Sequence, residues 1–216
     1  MKLPADVPWL NDAGALGLCA ALERAGFQAL FVGGCVRNAV LGVQASDIDI
    51  ATDATPDQVQ SVSKAAGFRT IPTGIDHGTL TVVIDGDPYE VTTFRNDVET
   101  DGRHAVVAFS TDVADDARRR DFTMNALYAR ADGTVVDPLG GLPDALARRV
   151  VFIDDAAARI REDYLRILRF FRFSAWYADP AHGFDADALA AIATHLDGLA
   201  HLSAERVGAE MTKLLG

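Results

Sequence analysis

Between Phe31 and Thr52 the chain reads FVGGCVRNAVLGVQASDIDIAT, and this stretch leaves few folds open. An apolar run stops at Gly33 and Gly34. A two-turn helical segment, CVRNAVLG, follows and stops at Gly42. DIDIAT then alternates acid and isoleucine with period two, which is expected to put Asp47 and Asp49 on one side of a strand and the isoleucines on the other. Strand, glycine turn, short helix and strand in such close succession call for a mixed layer of helices and sheet, with acids at its edge.

The flanking sequence extends that pattern. AGALGLCAALERAG is an amphipathic helix closed by Gly26, and TPDQVQSVSKAAG is another with Thr55 at its N-cap and Pro56 at its first position. FRTIPT, GTLTVVIDG and PYEVTTFR are strand-like runs joined by short turns. The polar stretch from Asn96 to Asp112 has no apolar periodicity and reads as a mobile loop. Beyond Asp115 the pattern turns helical, interrupted by GTVVDPLGG, and REDYLRILRFFRFSAWYA carries a continuous helical stripe. DADALAAIATHL and SAERVGAEMTKLLG add further helices. The expected organisation is α+β: a mixed head over 1–140 and an all-helical extension over 141–216.

Composition narrows the function classes. A formal net charge of −11 counts against a generally basic nucleic-acid binder. The imbalance is local, however: from Arg148 to Arg172 seven arginines face four acids, and Arg118, Arg119 and Arg120 form a second basic cluster. Two cysteines, Cys19 and Cys35, without a CxxC or a histidine pair, point to a reducing compartment and away from a cysteine zinc site. No run approaches the roughly 18 apolar residues of a membrane span, and MKLPADVPWL lacks the charged and apolar regions of a signal peptide. A cytoplasmic protein with no membrane partner is expected.

Two acids two residues apart on one strand face repel each other, and a divalent cation relieves the conflict. Hard carboxylate oxygens suit Mg²⁺, with Mn²⁺ as a substitute. Glu90, in the alternating PYEVTTFR strand, is the candidate third acid. An exposed strand face is the plainer explanation of an isolated DxD. The preceding glycine turn shifts the balance, because consecutive glycines before a helix let backbone N–H groups approach phosphate. A two-metal phosphoryl transfer site is the chemistry this combination fits.

GGCVRNAVLG…SDIDIAT resembles the signature of the class II tRNA nucleotidyltransferase and bacterial poly(A) polymerase family. RRDFTMNAL, DPLGGLPDA, REDYLRILRFFRF and SAERVGAEMTKLL are similar to its later motifs, in its order. The resemblance covers about residue 27 to 216. It implies a polymerase-β-like nucleotidyltransferase head and a helical neck, with the family's body and tail helices absent, so that nucleotide binding is expected to outlast tight tRNA binding. It further implies metal ligation by Asp47 and Asp49, with Glu90 completing the catalytic acids, and a phosphate-contacting turn of Gly33, Gly34 and Arg37. Arg120, Asp121 and Asn125 match the motif that contacts sugar and triphosphate. Glu162, Asp163 and Arg166, with Arg169 beyond them, match the segment that selects the nucleotide. The sequence departs from the family at Asn38, where Asp is usual, and at Ala145, where leucine is commoner.

The chemistry of EDYLR supports nucleotide choice independently. Asp163 and Arg166, at i and i+3, are expected on one helix face. A carboxylate accepts from an exocyclic amine and a guanidinium donates to a ring nitrogen or carbonyl, an order that suits C and A and mismatches U and G. An ordinary surface salt bridge is the plainer alternative. TGIDHGTLTVVIDGDPYEVTTFR and the following loop look like the CCA-adding form rather than the more basic poly(A) polymerase. The expected activity is therefore addition of CMP and AMP, from CTP and ATP, to the tRNA 3′ end. Poly(A) polymerase and a catalytically silent RNA- or nucleotide-binding module on the same fold are the alternatives.

Overall fold

The computed structural model describes residues 1–44, 47–100 and 105–215. Among the described residues nine strands occur in chain order: β1 (Ala29–Val32), β2 (Asp49–Thr52), β3 (Arg69–Gly74), β4 (Thr79–Ile84), β5 (Asp87–Thr93), β6 (Arg95–Thr100), β7 (Ala105–Phe109), β8 (Tyr128–Ala129) and β9 (Val135–Val136). The helices are α1 (Ala13–Arg24), α2 (Gly34–Leu41), α3 (Pro56–Ala65), α4 (Val113–Arg118), α5 (Leu142–Leu146), α6 (Ala156–Glu162), α7 (Leu165–Tyr177), α8 (Ala186–His195) and α9 (Ala204–Leu215).

Seven strands form one sheet in the order β3-β4-β5-β2-β1-β8-β9. Only β2 and β5 run parallel, with Asp49 opposite Glu90. The central strands are buried because their residues are: all four of β1 are inaccessible, and Ile50 and Ala51 of β2 are fully covered. Helix starts follow the sequence signals. Asp12 caps α1 through the Ala15 N–H, and Thr55 and Gln58 form a reciprocal capping box on α3.

Phe122 pairs with Phe152 in a short antiparallel bridge, and both rings meet Phe170 of α7, with Phe152 stacked on Phe170 at 5.7 Å between centroids. These rings belong to the same apolar core as Leu18, Phe31 and Leu80, so sheet and helical region share one interior. Cys19 and Cys35 are buried free thiols, and burial pushes them up to about 12 and about 11.

Three local expectations need correction. The segment expected to be a loop from Asn96 to Asp112 contains the antiparallel strands β6 and β7, and residues 101–104 lie outside the described residues. A two-stranded ribbon satisfies its backbone from its own partner strand and needs no apolar stripe, so no periodicity announced it. Asp47 precedes β2 instead of lying within it. EDYLR is split, because α6 ends at Glu162 and α7 starts at Leu165. Asp163 stands between them at φ −155° and ψ 106°, where its carboxylate accepts the Leu165 N–H at 3.1 Å. An Asp that caps a new helix breaks a stripe which hydrophobicity alone would continue.

Candidate active site

The turn after β1 is built on Gly33, which sits at φ 70° and ψ −118°, a conformation that side-chain-bearing residues avoid. A Cβ there would come 3.2 Å from Nη1 of Arg120, so the missing side chain also makes room for that arginine. The Gly33 N–H is occupied by the Leu127 carbonyl. The anion-binding capacity of the turn therefore lies in the first turn of α2, which no side chain caps.

This turn opens on a cleft of about 340 Å³. Five arginines (37, 119, 120, 166 and 169) line it against three aspartates (49, 121 and 163). In an acidic protein the cleft is thus locally cationic. A larger hollow of about 550 Å³ lies beyond Asp47, between the N-terminal segment and the end of α2, but Asp6, Asp12 and Asp47 are the charged groups in its wall. The smaller cleft is the cationic one and the larger hollow the acidic one.

Each arginine there is fixed by a partner. Asp116, fully buried, accepts from Arg119 Nε at 2.8 Å, Arg120 Nη2 at 3.1 Å and the Tyr128 hydroxyl at 2.7 Å. Burial works against its charge, yet Arg120 and Arg119 hold its carboxyl below the usual range. Asp121 binds Arg169 Nε at 2.7 Å and accepts from Asn125 Nδ2 at 2.8 Å. Burial opposes its ionisation too, and Arg169 and Asn125 overcome it.

Arg37 differs from its expected role. It is 7% exposed, and its donors go to Asn125, to Asn38 and to the Tyr177 hydroxyl, with the guanidinium 4.2 Å over the Tyr177 ring. Arg37 lines the floor of the cleft and braces Asn125 while its hydrogen-bonding capacity is taken up inside the protein. Burial lowers its pKa.

In the middle of the sheet, where β2 begins, Asp49 and Glu90 are adjacent across the parallel pair. The Asp49 carboxyl is pushed up to about 6, first by burial and then by the charges of Glu90 and Asp47, against the pull of Arg120. The three acids expected to work together are thus brought into one electrostatic neighbourhood. Among the described residues no three ligating side chains converge as a ready-made cage. The set nevertheless fits divalent ions, because its donors are carboxylate oxygens only.

On the helical side, Glu162 is held between Arg159 and Arg166. Arg166 also donates to the carbonyls of Arg159 and Arg119, while Asp163 binds Arg206 of α9 at 2.7 Å. Asp163 and Arg166 both face the cleft, from a helix break and a helix respectively. Sequence reasoning missed Asp116, Arg119, Tyr177 and Arg206. Asp116 had a usable signal, an acid three and four residues before two arginines. Tyr177 and Arg206 are remote in the chain from the residues they hold.

A sheet whose central parallel pair carries adjacent acids, beside an arginine-lined cleft, defines a polymerase-β-like nucleotidyltransferase head. The chain belongs to the poly A polymerase head domain family, whose model matches residues 29–151. It is 46% identical over 184 residues to the human CCA tRNA nucleotidyltransferase 1, mitochondrial, covering 85% of this chain and 42% of that protein. It is 43% identical over 204 residues to the CCA-adding enzyme of Geobacillus thermodenitrificans, covering 93% and 48% respectively. The crystal structure of the Bacillus stearothermophilus CCA-adding enzyme in complex with CTP superposes with a TM-score of 0.82 at 40% identity, over 93% of this chain and 47% of that one. The chain spans about half the length of the curated relatives it matches. Among the described residues no helix is long and apolar enough to cross a membrane.

Proposed function

We propose that this chain is a template-independent RNA nucleotidyltransferase that adds CMP and AMP, from CTP and ATP, to the 3′ end of tRNA. The observation that carries the reading is one cleft lined by five arginines, by Asp49 and by Asp163 with Arg166. Identity of 43% to a CCA-adding enzyme across 93% of the chain favours CCA addition over polyadenylation. In this reading residues 1–140 are the catalytic head and 141–216 the nucleotide-selecting neck.

Asp47, Asp49 and Glu90 would hold the divalent metal ions on which this family relies, and Mg²⁺, or Mn²⁺ in its place, suits their hard oxygens. Two such ions, when bound, supply Lewis-acid stabilisation of the attacking and leaving oxygens. The rest is the work of the chain. The first turn of α2 and Arg120 receive the triphosphate. Arg120 is held in place beforehand by Asp116 and Tyr128, so little reorganisation accompanies charge build-up. Asp121 and Asn125, joined to each other and to Arg169 and Arg37, keep the cleft floor rigid. Asp163 and Arg166 offer one acceptor and one donor to the edge of C or A. The RNA 3′-hydroxyl attacks the α-phosphate in line, and pyrophosphate leaves toward the arginines.

Labelled tRNA lacking its 3′ end, incubated with each nucleotide alone and then with CTP plus ATP, tests the proposal. Cytidine addition with CTP, completed only when ATP is also present, is expected, with release of pyrophosphate. A long adenosine tract from ATP alone would move the assignment to poly(A) polymerase. Nucleotide binding without incorporation would mark a silent binding module.

A further inference from the structure

Among the described residues no ion pair joins Asp163 to Arg166, although both line one cleft three residues apart. Each has a separate counter-ion. Arg206 Nη2 meets Asp163 Oδ2 at 2.7 Å, and Glu162 Oε2 meets Arg166 Nη1 at 2.5 Å.

We propose that Arg206, on α9, is a positioning residue for nucleotide choice: it holds the Asp163 carboxylate apart from Arg166 and so keeps the width of a base open between acceptor and donor. The proposal rests on the reading of Asp163 and Arg166 as the base-selecting pair. Asp163 lies between two helices in an extended conformation, so no helical frame fixes its side chain. The Leu165 N–H secures only Oδ1. The second oxygen is fixed by Arg206, from 43 residues away. Without that contact, a cation lining the same cleft is Arg166, and attraction across a partly dry space favours their collapse onto each other. A closed Asp163–Arg166 pair has its donor and acceptor turned inward, and a base would then be read by neither.

Arg206 is not the main attachment of its helix. Glu210, one turn further along α9, forms a buried pair with Arg172 at 2.5 Å, each side chain 6% exposed. Arg172 in turn lies over Phe173 and Trp176. Arg206 is 38% exposed. Its replacement therefore leaves the docking of α9 to Arg172 and Glu210.

The test is equilibrium binding of CTP, ATP, UTP and GTP, with Mg²⁺, to the wild-type chain, Arg206→Gln and Arg206→Lys. Inorganic triphosphate serves as a probe with no base to read. The wild type is expected to prefer CTP and ATP. In Arg206→Gln that preference should fall roughly ten- to a hundredfold, the scale of a lost charge-assisted hydrogen bond, with triphosphate affinity unmoved. Arg206→Lys, which keeps the charge, should recover part of the preference. An undiminished preference in Arg206→Gln overturns the role of Arg206 and leaves the base-selecting reading standing. A wild type that binds all four nucleotides alike overturns both. Parallel loss of triphosphate binding in Arg206→Gln would mean a general structural role and would also overturn the proposal.

Discussion

Asn38 receives two hydrogen bonds from its own neighbour: Oδ1 accepts from Arg37 Nη2 at 2.9 Å and from Arg37 Nε at 3.1 Å. Its Nδ2 meanwhile donates to the Gln44 carbonyl at 2.9 Å. The family's usual Asp would gain an ion pair with the buried guanidinium but would turn a second oxygen toward that carbonyl without a proton between them. The amide therefore suits this site and takes up two of the Arg37 donors. Asn38→Ala, which removes the one acceptor of two hydrogen bonds from a buried charge, should lower stability by about 2 kcal/mol. Asn38→Asp should change it by less than about 1 kcal/mol, because gain and loss offset each other. Urea denaturation of the three proteins decides the matter, and an Ala variant as stable as wild type would show that Arg37 finds other partners.

Gly33→Ala carries two penalties at one position. The backbone conformation there is strained for any residue with a Cβ, at a cost of about 1–3 kcal/mol, and the new methyl would press on Arg120 Nη1. The expected result is a modest drop in melting temperature together with a large loss of triphosphate affinity. Gly26→Ala provides the comparison, since a Cβ there meets nothing within 4 Å at a similarly positive φ of 90°. It should share the drop in stability and keep nucleotide binding. If both variants bind nucleotide equally well, Gly33 does not serve the cleft.

The legible parts of this site were those encoded by neighbours in sequence. The glycine turn and DxD announce themselves within a few residues, and the alternation of PYEVTTFR placed Glu90 on a strand that then aligned with Asp49. EDYLR showed the right side chains but the wrong frame, because the capping role of Asp163 hides inside an uninterrupted apolar stripe. The partners of Arg37 were hidden for a different reason. Its burial depends on Tyr177 and Asn125, which lie 140 and 88 residues away. Local pattern shows which charges a chain has. It does not show which of them tertiary partners will consume.

Asp116 illustrates the cost of such a partner. It is the shared acceptor for Arg119, Arg120 and Tyr128, and it is inaccessible to solvent. Asp116→Asn keeps the shape and removes the charge, leaving two arginines without their carboxylate, and should destabilise the fold by about 3–5 kcal/mol. Tyr128→Phe removes two hydrogen bonds, the one it donates to Asp116 and the one it accepts from Arg120, and should cost about 2 kcal/mol. Because the Asp116 carboxyl is held below its ordinary range, its contribution is present at neutral pH and is lost as the pH falls through and below that range. Wild type and Asp116→Asn should therefore converge in stability under acid conditions. Parallel denaturation midpoints at all pH values would count against a charge-based role.

Asp49 has the opposite sign. With no divalent ion bound, its folded-state pKa of about 6 lies above the usual 3.8, so the folded protein binds this proton more tightly than the unfolded chain does. The ionised carboxylate thus opposes folding above about pH 6, and the opposition disappears as the pH falls toward 4. A two-unit displacement corresponds to roughly 3 kcal/mol before solvent screening reduces it. In the presence of a chelator, Asp49→Asn should accordingly be more stable than wild type by about 2–3 kcal/mol at pH 8 and within about 1 kcal/mol of it at pH 4. The same substitution should abolish nucleotide addition, since it removes a hard anionic ligand from the acid cluster. Excess Mg²⁺ at pH 8 should narrow the stability gap by binding the wild type in preference to the variant. Greater activity and lower stability would then belong to the same carboxylate, as expected of acids kept crowded for a cation. A chelated Asp49→Asn protein less stable than wild type at pH 8 would refute this account of the acid cluster.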